Sequence, residues 1–273
     1  MNSLFNHTNE QQAALAFTGQ SVIFDRLYEE KGIMSYKRTR VRQHLLKYIN
    51  SGSKILELNA GTGDDAIFLA QHGHYIHATD ISAGMQERLK EKLSFYQLND
   101  FVTTELCSYT SLKTISNRGP YDCIFSNFAG LNCTGNLDLV LAEFDSLLKP
   151  DGIAVLTMLP RFCLWETLLI FRGKFKTATR RFFSSKGRKA NIEGVSFTCW
   201  YYSPRYVMSR MKRKFSLIEI EGLCTIVPPS YIGQFSEKYP RVYSFLCKTE
   251  DRVKSIWPWK FIGDYFIISL KKK

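Results

Sequence analysis

The sequence lacks the cysteine patterns of a disulfide-bonded or zinc-binding domain. Its 273 residues include seven cysteines, an odd number, and no pair has the C-x-x-C spacing. Structural disulfides belong to oxidising compartments, and many structural zinc sites repeat that spacing. We therefore expect a reducing compartment, with the cytoplasm as the default location, and no metal site.

Long apolar runs are also absent. The most apolar stretch, Ile153–Phe171, is interrupted by Pro160, Arg161 and Glu166, and it is a poor candidate for a membrane span. No N-terminal signal, a charged and then an apolar region, is visible in the printed sequence. A hydrophobic content of 45% over this length is enough to bury a full core, so we expect one domain with additions.

Acidic residues are scarce in one part of the chain. Between Arg161 and Lys214 there are 14 Lys or Arg residues and only two acids, Glu166 and Glu193, which gives this part a formal charge of +12. The formal net charge of the whole chain is also +12. The excess of positive charge therefore resides in residues 161–214.

Three interpretations of this basic region remain open. It also contains bulky apolar residues, including Trp165, Leu168 and Phe171. The simplest interpretation is a solvated basic face on a helix that covers the active site. An amphipathic helix on an anionic membrane is the second, because such an interface combines apolar residues with Lys and Arg. RNA contact is the third, although no recognised RNA-binding module accompanies the charge.

The stretch from Lys54 to Asp80 has the pattern of a βαβ unit. It begins with the apolar run Ile55–Leu58, continues through a loop of small residues at 59–63, and shows helical spacing from about Asp64. A second apolar-alternating run ends on Asp80. In such a unit the ligand lies at the carboxyl ends of the strands.

Two nucleotide-like ligands are compatible with the glycine loop of this unit. Residues 61–66 read G-T-G-D-D-A, which satisfies the dinucleotide pattern with its pyrophosphate on a helix N-terminus. However, the carboxylates of Asp64 and Asp65 in the first helical turn would repel a bound phosphate. An acidic rim that also includes Glu57 suits an ammonium or sulfonium group. The sign of the charge therefore favours S-adenosylmethionine over NAD.

The ordered motifs resemble those of class I S-adenosylmethionine-dependent methyltransferases of the small-molecule type. ILELNAGTG and HATDIS are similar to the first two motifs of the family, YDCIFSN to its fourth strand, and LLKPDG to the turn before its fifth strand. The resemblance covers about residues 37–160. It departs from the family at Asn59, which replaces the usual first glycine and tolerates left-handed geometry. A second departure is Ser108, which stands where the family often has an adenine-contacting Asp.

This resemblance implies an α/β fold. We expect a doubly wound, mostly parallel seven-stranded sheet of the Rossmann-like methyltransferase type, with an antiparallel hairpin at its C-terminal edge and a helical cap insertion. The N-terminal leader would be a helical lid, or alternatively a frayed terminus. The expected regions are the leader at 1–36, the S-adenosylmethionine-binding core at 37–160, a basic aromatic cap at 161–202, and completion of the sheet at 203–273 with an inserted segment at 231–257.

Nine residues are expected to contact the cofactor. Asp80 would accept hydrogen bonds from both ribose hydroxyls, or alternatively act as a helix N-cap or turn residue. Gly61 and Gly63 would allow the backbone to approach the cofactor closely. The other expected contacts are made by Glu57, Asn59, Ala60, Ile81, Ser108 and Asn127.

The expected chemistry needs little from the protein. A sulfonium methyl group is already activated, so positioning and exclusion of water would supply most of the acceleration. The sequence shows no clear general base, and the catalytic residues are left unassigned; His7 would serve only if the leader closes as a lid. Residues 126–129 read SNFA and not the Asn-Pro-Pro-aromatic signature of enzymes that methylate planar amino groups. We therefore expect O- or C-methylation of a small, apolar or aromatic acceptor.

Two other functions remain open at this point. An RNA methyltransferase would use the basic region 161–214, and a non-catalytic nucleotide-binding protein would keep only the Rossmann-like fold. The expected partner is a small-molecule acceptor, with peripheral contact to an anionic membrane as a further hypothesis. Nucleic acid is not favoured, and the oligomeric state is left open.

Overall fold

A computed structural model describes residues 8–27, 32–182, 184–232 and 234–273. The strands of this part of the chain are β1 (Lys54–Leu58), β2 (Tyr75–Asp80), β3 (Val102–Leu106), β4 (Tyr121–Ser126), β5 (Leu148–Met158), β6 (Arg188–Ile192), β7 (Val195–Cys199), β8 (Phe215–Leu223) and β9 (Tyr265–Lys272).

The α-helices alternate with the strands in the first half of the chain and form additions elsewhere. They are α1 (Asn9–Leu27), α2 (Gly32–Leu46), α3 (Asp64–Gln71), α4 (Ala83–Tyr96), α5 (Leu137–Leu147), α6 (Leu164–Leu168), α7 (Phe175–Ala178), α8 (Pro204–Met211), α9 (Phe235–Lys238) and α10 (Pro240–Val253).

One seven-stranded sheet, in the order β3-β2-β1-β4-β5-β9-β8, forms the centre of the molecule. The five strands from β3 to β5 pair in parallel. β9 pairs antiparallel with both β5 and β8. This arrangement confirms the predicted mostly parallel sheet with its antiparallel C-terminal hairpin.

Successive residues of β1 point to opposite faces of the sheet, as strand geometry requires. Leu56 and Leu58 belong to a buried cluster that includes α5 and α8, whereas Ile55 belongs to a second cluster with α2, α3 and α4. Burial on both faces explains why the first strands read as nearly continuous apolar runs.

The cap insertion contains helices, as predicted, and in addition a strand pair that the sequence did not reveal. α6 and α7 form its first half, and β6 and β7 form a separate two-stranded antiparallel sheet in its second half. The turn between these strands has positive φ at both Glu193 and Gly194, as a type I′ hairpin turn requires. Within the described residues, no helix is long and apolar enough to cross a membrane.

The N-terminal helix α1 packs against α4 and β7. Its contact with α4 is close: a Cβ atom added at Gly84 would lie 2.7 Å from the Ser21 hydroxyl oxygen. The hydroxyl groups of Thr18 and Ser82 are hydrogen-bonded at 2.9 Å in the same contact. α1 is therefore placed beside the carboxyl end of β2, which precedes Ser82.

Candidate cofactor and acceptor site

A cavity of about 380 Å³ opens at the carboxyl ends of β1, β2 and β4. This volume lies in the range of small-molecule sites. Seven of the nine predicted cofactor contacts line it, namely Glu57, Asn59, Ala60, Gly61, Asp80, Ile81 and Asn127. The other two, Gly63 and Ser108, do not.

Asp80 is fixed by the backbone on both sides of its carboxylate. The Gly61 N–H donates to Oδ2 at 2.9 Å, and the Ser82 N–H donates to Oδ1 at 2.8 Å. Burial raises the pKa of Asp80, and these backbone hydrogen bonds oppose that rise. The N-cap of α4 is Ser82, whose hydroxyl accepts from the Met85 N–H. Each Asp80 oxygen retains a further lone pair, so the carboxylate suits a pair of ribose hydroxyls.

Glu57 is a buried acid whose Oε2 atom has no hydrogen-bond partner within the described part of the chain. Burial, and next the charge of Asp65, raise the pKa of Glu57 well above its usual value. An unsatisfied buried carboxylate oxygen is costly unless a ligand completes it. A cationic group in the cavity would do so, and the residues present therefore fit S-adenosylmethionine.

The two glycines of the loop have different roles. Gly61 has φ of +57° and open space where a Cβ atom would project, and it lines the cavity. Gly63 has φ of +82°, and a Cβ atom there would lie 2.0 Å from Leu89 Cδ1. Gly63 therefore allows the loop to pack on α4, and it is Gly61 that offers its backbone to a ligand.

Ser108, in contrast to the prediction, is directed to the N-terminal helix. Its hydroxyl donates to Glu10 Oε2, and the same carboxylate accepts from Thr110 Oγ1 at 2.7 Å and Thr134 Oγ1 at 3.1 Å. Three hydroxyl groups thus hold Glu10. The position that often carries an adenine-contacting Asp in the resembled family here anchors α1.

The loop after β4 is joined to the glycine loop by two asparagines. Asn59, with φ of +50°, donates from Nδ2 to the Asn127 carbonyl at 2.9 Å. Asn127 donates from its own Nδ2 to Asp65 Oδ2 at 2.7 Å. A Cβ atom at Gly130 would lie 2.1 Å from Asn59 Cγ, so this position requires glycine. Asn59 stands where the resembled family usually has its first glycine, and its side chain fits because Gly130 opposite it has no Cβ atom.

The predicted acidic rim is present, but its charge is largely neutralised. Asp64 is paired with Arg38 at 2.8 Å and with Lys92 at 2.6 Å. Asp65 is paired with Arg42 at 2.7 Å. The prediction treated these two acids as free charges, and this was wrong because cations distant in sequence fold against them. The negative charge available to a ligand comes mainly from Glu57 and Asp80.

Two cationic residues of the cavity lining were missed in the sequence. Lys37 and Arg38 lie on α2, are buried, and line the cavity. Lys37 Nζ is 3.6 Å from Asp264 Oδ2 and 4.9 Å from the centre of the Tyr265 ring. The Arg38 guanidinium lies 5.5 Å from the centre of the Phe128 ring. Their burial was hard to predict from the sequence because basic residues on a helix normally lie on a solvated face.

Apolar side chains form much of the remaining lining. They come from α1, from α2, from the loops after β4 and β5, and from the hairpin of the cap, and they include Phe17, Phe24, Met34, Phe128, Leu159, Ile192 and Phe197. Several of these lie far apart in the sequence, so the cavity is closed by α1 and the cap together. His7, the histidine that a closing leader would contribute, lies outside the described residues.

None of the histidines at 44, 72, 74 and 77 lines the cavity, and the structure describes all four. Tyr201 and Tyr202 are buried in packing: the Tyr202 hydroxyl donates to the Thr134 carbonyl at 2.6 Å. Cys133 lines the cavity, but burial raises the pKa of its thiol. The site therefore suits a reaction that depends on positioning.

Two clusters of acids with a His or a Cys have the spacing of metal ligands, but cations already occupy them. In the group His44, Glu219 and Glu221, Arg40 Nη2 donates to Glu221 at 2.9 Å. In the group Cys163, Glu166 and Asp264, Arg181 contacts the two carboxylates at 2.6 and 2.7 Å. The positive charge that a metal ion would supply is provided by arginine.

Comparisons with known proteins agree with this geometry. Residues 55–152 match the sequence model of a family described as methyltransferase domain. A curated relative is the non-reducing polyketide synthase mapC of Penicillium roqueforti (strain FM164), 29% identical over 164 residues. That match covers 53% of this chain and 6% of the synthase, so this chain spans a small part of its length.

Solved structures share the fold over most of the chain. The [4+2]-cyclase SpnF aligns with a TM-score of 0.63 and 12% identity, over 96% of each chain. The geranyl diphosphate C-methyltransferase of Streptomyces coelicolor A3(2), solved with Mg²⁺, geranyl diphosphate and S-adenosyl-L-homocysteine, aligns with a TM-score of 0.57 and 13% identity. The alignment covers 86% of this chain and 79% of that one. Residues 55–152 are therefore similar to a methyltransferase domain, and the chain has the fold of S-adenosylmethionine-dependent methyltransferases.

Proposed function

We propose that the protein transfers a methyl group from S-adenosylmethionine to a small acceptor with an apolar carbon skeleton, at a carbon or an oxygen atom. The observation that carries this proposal is the pair of buried carboxylates, Glu57 and Asp80, in one cavity at the ends of β1 and β2. Asp80 would hold the ribose hydroxyls, and Glu57 would face the cationic part of the cofactor. When bound, the cofactor supplies an activated sulfonium methyl group.

The protein's own contribution would be orientation and exclusion of water. α1 and the cap hairpin surround the cavity with aromatic and aliphatic side chains, among them Phe17, Ile192 and Phe197. A dry cavity holds the acceptor in line with the methyl group and keeps water from competing. No general base is required unless the acceptor must lose a proton as it reacts.

The apolar nature of the acceptor is supported by the lining and by the proteins described above. One of them acts in polyketide synthesis by its name, and another is named for C-methylation of an isoprenoid diphosphate. Lys37 adds a cationic group to a largely apolar wall, while Arg38 beside it is paired with Asp64. We therefore expect an acceptor with an ionisable or electron-rich oxygen, such as an enol, a phenol or a diphosphate.

The test is transfer of isotope-labelled methyl from S-adenosylmethionine to a panel of 1,3-dicarbonyl, phenolic and isoprenoid acceptors. We expect label in at least one organic product, and NMR of that product assigns the methyl group to carbon or oxygen. Asp80→Ala should reduce the transfer, whereas Asp122→Ala is a matched control because Asp122 pairs with Lys149 away from the cavity lining. Binding of S-adenosylhomocysteine without transfer to any acceptor class would contradict the catalytic proposal and leave cofactor binding intact.

A further inference from the structure

The first half of the cap ends in an exposed apolar turn. We call residues 168–176 the cap tip; they include the end of α6, a 3-10 turn at Leu169–Arg172, and the start of α7. Phe171 is 86% exposed and Phe175 is 61% exposed. Leu168 and Ile170 of the same turn are exposed as well. Clustered apolar side chains in solvent mark an interaction surface more often than isolated ones do.

Cations surround these apolar side chains. Arg172, Lys174 and Lys176 are exposed on the same tip, and the structure gives them no ion pair with any residue that it describes. The sequence contains no acid between Thr167 and Ile192. The positive charge of the tip is therefore available to an external anion.

A groove of about 240 Å³ lies beside the tip, lined by Arg172, Lys174, Arg180 and Tyr231. Glu166 also lines it, but Arg180 and Arg181 already pair with this carboxylate, the latter at 2.6 Å. The groove thus presents cations that exceed the nearby negative charge. Its size and charge suit a phosphate group.

The base of the tip is attached to the segment just before β9. The Leu164 N–H donates to the Ile262 carbonyl at 2.9 Å. Arg181 joins Glu166 of α6 to Asp264, with distances of 2.6 and 2.7 Å. Contacts of the tip with an external surface would therefore act on the same insertion that supplies Ile192 and Phe197 to the cavity.

We propose that the cap tip docks on an anionic lipid membrane. Phe171 and Phe175 enter the boundary between headgroups and acyl chains, and Arg172, Lys174 and Lys176 lie against the phosphates. Peripheral binding requires this combination of apolar insertion and basic charge. The aliphatic side chains of Leu168 and Ile170 favour a lipid surface over RNA, because they can enter the headgroup boundary but cannot stack on a base as Phe171 and Phe175 could. The inference goes beyond the proposed function, since docking needs no methyl transfer.

The experiment is co-sedimentation of the full chain with vesicles of phosphatidylcholine alone or of phosphatidylcholine with phosphatidylserine. We expect binding to the anionic vesicles, weakened by added salt because the charges are exposed. Lys174→Gln with Lys176→Gln should reduce the partition coefficient by about fivefold for each lysine. Phe171→Ser with Phe175→Ser should reduce it by at least about tenfold.

Matched controls separate the cap tip from general surface properties. Phe95→Ser removes a phenylalanine that is 80% exposed on α4, and Lys90→Gln removes an exposed lysine of the same helix. Neither should change the partition coefficient, and all variants should bind S-adenosylhomocysteine as the unaltered chain does. Equal partitioning on neutral and anionic vesicles would overturn the proposal. It would also fall if single-stranded RNA bound through the tip while vesicles did not.

Discussion

At the scale of single residues, the two buried acids of the cavity differ in how the protein satisfies them. Asp80 receives backbone hydrogen bonds on both oxygens, from Gly61 and Ser82. Glu57 has an oxygen without a partner among the described residues. Asp80 is thus held in place by the protein itself, whereas we expect Glu57 to gain its missing partner from a ligand.

Replacing Asp80 by alanine tests the first of these roles. Asp80→Ala removes the proposed acceptors for two ribose hydroxyls. We expect affinity for S-adenosylhomocysteine to fall by at least roughly 10- to 100-fold, the effect of losing one hydrogen bond to a charged group at about 1.5–3 kcal/mol. Calorimetric titration measures this change. Asp122→Ala should leave the affinity unchanged, and an equally tight Asp80→Ala variant would remove the ribose assignment.

Glu57 predicts a pH dependence of cofactor binding. Because burial, followed by the Asp65 charge, raises the pKa of Glu57, the carboxyl group is ionised only above its usual titration range. The ionised form favours a cation, so affinity for S-adenosylmethionine should rise as the pH increases above the usual titration range of glutamate, while the amino group of the ligand stays charged.

A second ligand and a variant test whether Glu57 is the cause of this pH dependence. S-adenosylhomocysteine lacks the sulfonium charge, and its affinity should rise less over the same range. Glu57→Gln should remove most of the dependence for both ligands, because an amide does not titrate in this range. Parallel pH profiles for the unaltered chain and Glu57→Gln, measured by calorimetry, would contradict this role.

Replacing Lys37 should affect binding of the acceptor but not binding of the cofactor. Its ammonium group lies 3.6 Å from Asp264, which keeps a second partner in Arg181 at 2.7 Å. Lys37→Met therefore leaves Asp264 paired. We expect this variant to raise KM for the acceptor by about tenfold, the effect of losing one charged contact, with little change in the affinity for S-adenosylhomocysteine. Lys47→Met, at an exposed lysine just after α2, serves as the control. A changed cofactor affinity with unchanged acceptor KM would place Lys37 at the cofactor instead.

The conformation or position of a single residue was predictable where it follows from local sequence. Asn59 has the left-handed geometry expected of it, and Asp80 lies at the end of β2. Sequence could not show that Arg42 would neutralise Asp65, or that Lys37 would be buried against Asp264. These pairs join residues far apart in the chain, and a single sequence carries no sign of such contacts.

At the scale of elements, α1 is held over the cavity by polar groups near its first turn. Glu10 accepts from three hydroxyl groups, and Asn9 Nδ2 donates to the carbonyls of Cys133 at 2.7 Å and Thr198 at 3.0 Å. Farther along, Phe17 and Phe24 line the cavity. We therefore infer that α1 covers the cavity, held by these hydrogen bonds near its first turn and by packing on α4 and β7.

Glu10→Ala should loosen this cover without touching the cavity lining. Loss of three hydrogen bonds to a carboxylate is expected to destabilise the closed position of α1 by about 2–4 kcal/mol, partly offset by water. S-adenosylhomocysteine should then dissociate at least about tenfold faster, which stopped-flow fluorescence measures. Glu87→Ala, an exposed acid on α4, is the control. An unchanged dissociation rate would show that α1 does not govern access.

The elements of the central sheet were predictable because their signals are local and repeated. Apolar runs with intervening amphipathic helices predict parallel strands, and the strands expected at Ile55–Leu58, before Asp80 and at YDCIFSN are present as β1, β2 and β4. The hairpin of β6 and β7 was not predictable, because β6 begins with the basic pair Arg188 and Lys189 and its turn begins with Glu193, not Asn or Asp. Gly194, between Ile192 and Val195, is the residue that could have indicated this turn in the sequence.

At the scale of the whole molecule, positive charge is unevenly distributed between surface and interior. The cap tip exposes Arg172, Lys174 and Lys176, whereas Arg40 of α2 is buried against Glu221 at 2.9 Å. Glu221 also faces His44 at 3.0 Å and Lys254 at 3.6 Å. This buried network ties α2 to the C-terminal hairpin of the sheet, and its charges should govern stability in acid.

The lowered pKa of Glu221 determines whether acid raises or lowers the stability of the folded protein. Burial alone would raise the pKa of Glu221, but hydrogen bonding and charge from His44, with Arg40 and Lys254, lower it from 4.5 to about 2. A lowered pKa in the folded state stabilises the protein above about pH 4.5, and this stabilisation is lost as the pH falls to about 2. The loss should be roughly 3 kcal/mol in the free energy of unfolding.

Urea unfolding at a series of pH values measures this contribution. Glu221→Gln should be less stable at neutral pH and should lose less stability between about pH 4.5 and 2 than the unaltered chain. Glu91→Gln, at an exposed ion pair with Arg88, should change neither quantity appreciably. Identical acid profiles for the unaltered chain and Glu221→Gln would show that the buried network does not depend on this charge.

The most direct test of the proposed cofactor compares the binding of a methyl donor with the binding of a dinucleotide. Calorimetric titration of the full chain with S-adenosylmethionine and S-adenosylhomocysteine, and separately with NAD, compares a sulfonium, a thioether and a diphosphate in one site. We predict saturable 1:1 binding of the first two ligands and no measurable binding of NAD. Binding of NAD with no heat from either adenosyl ligand would contradict the account.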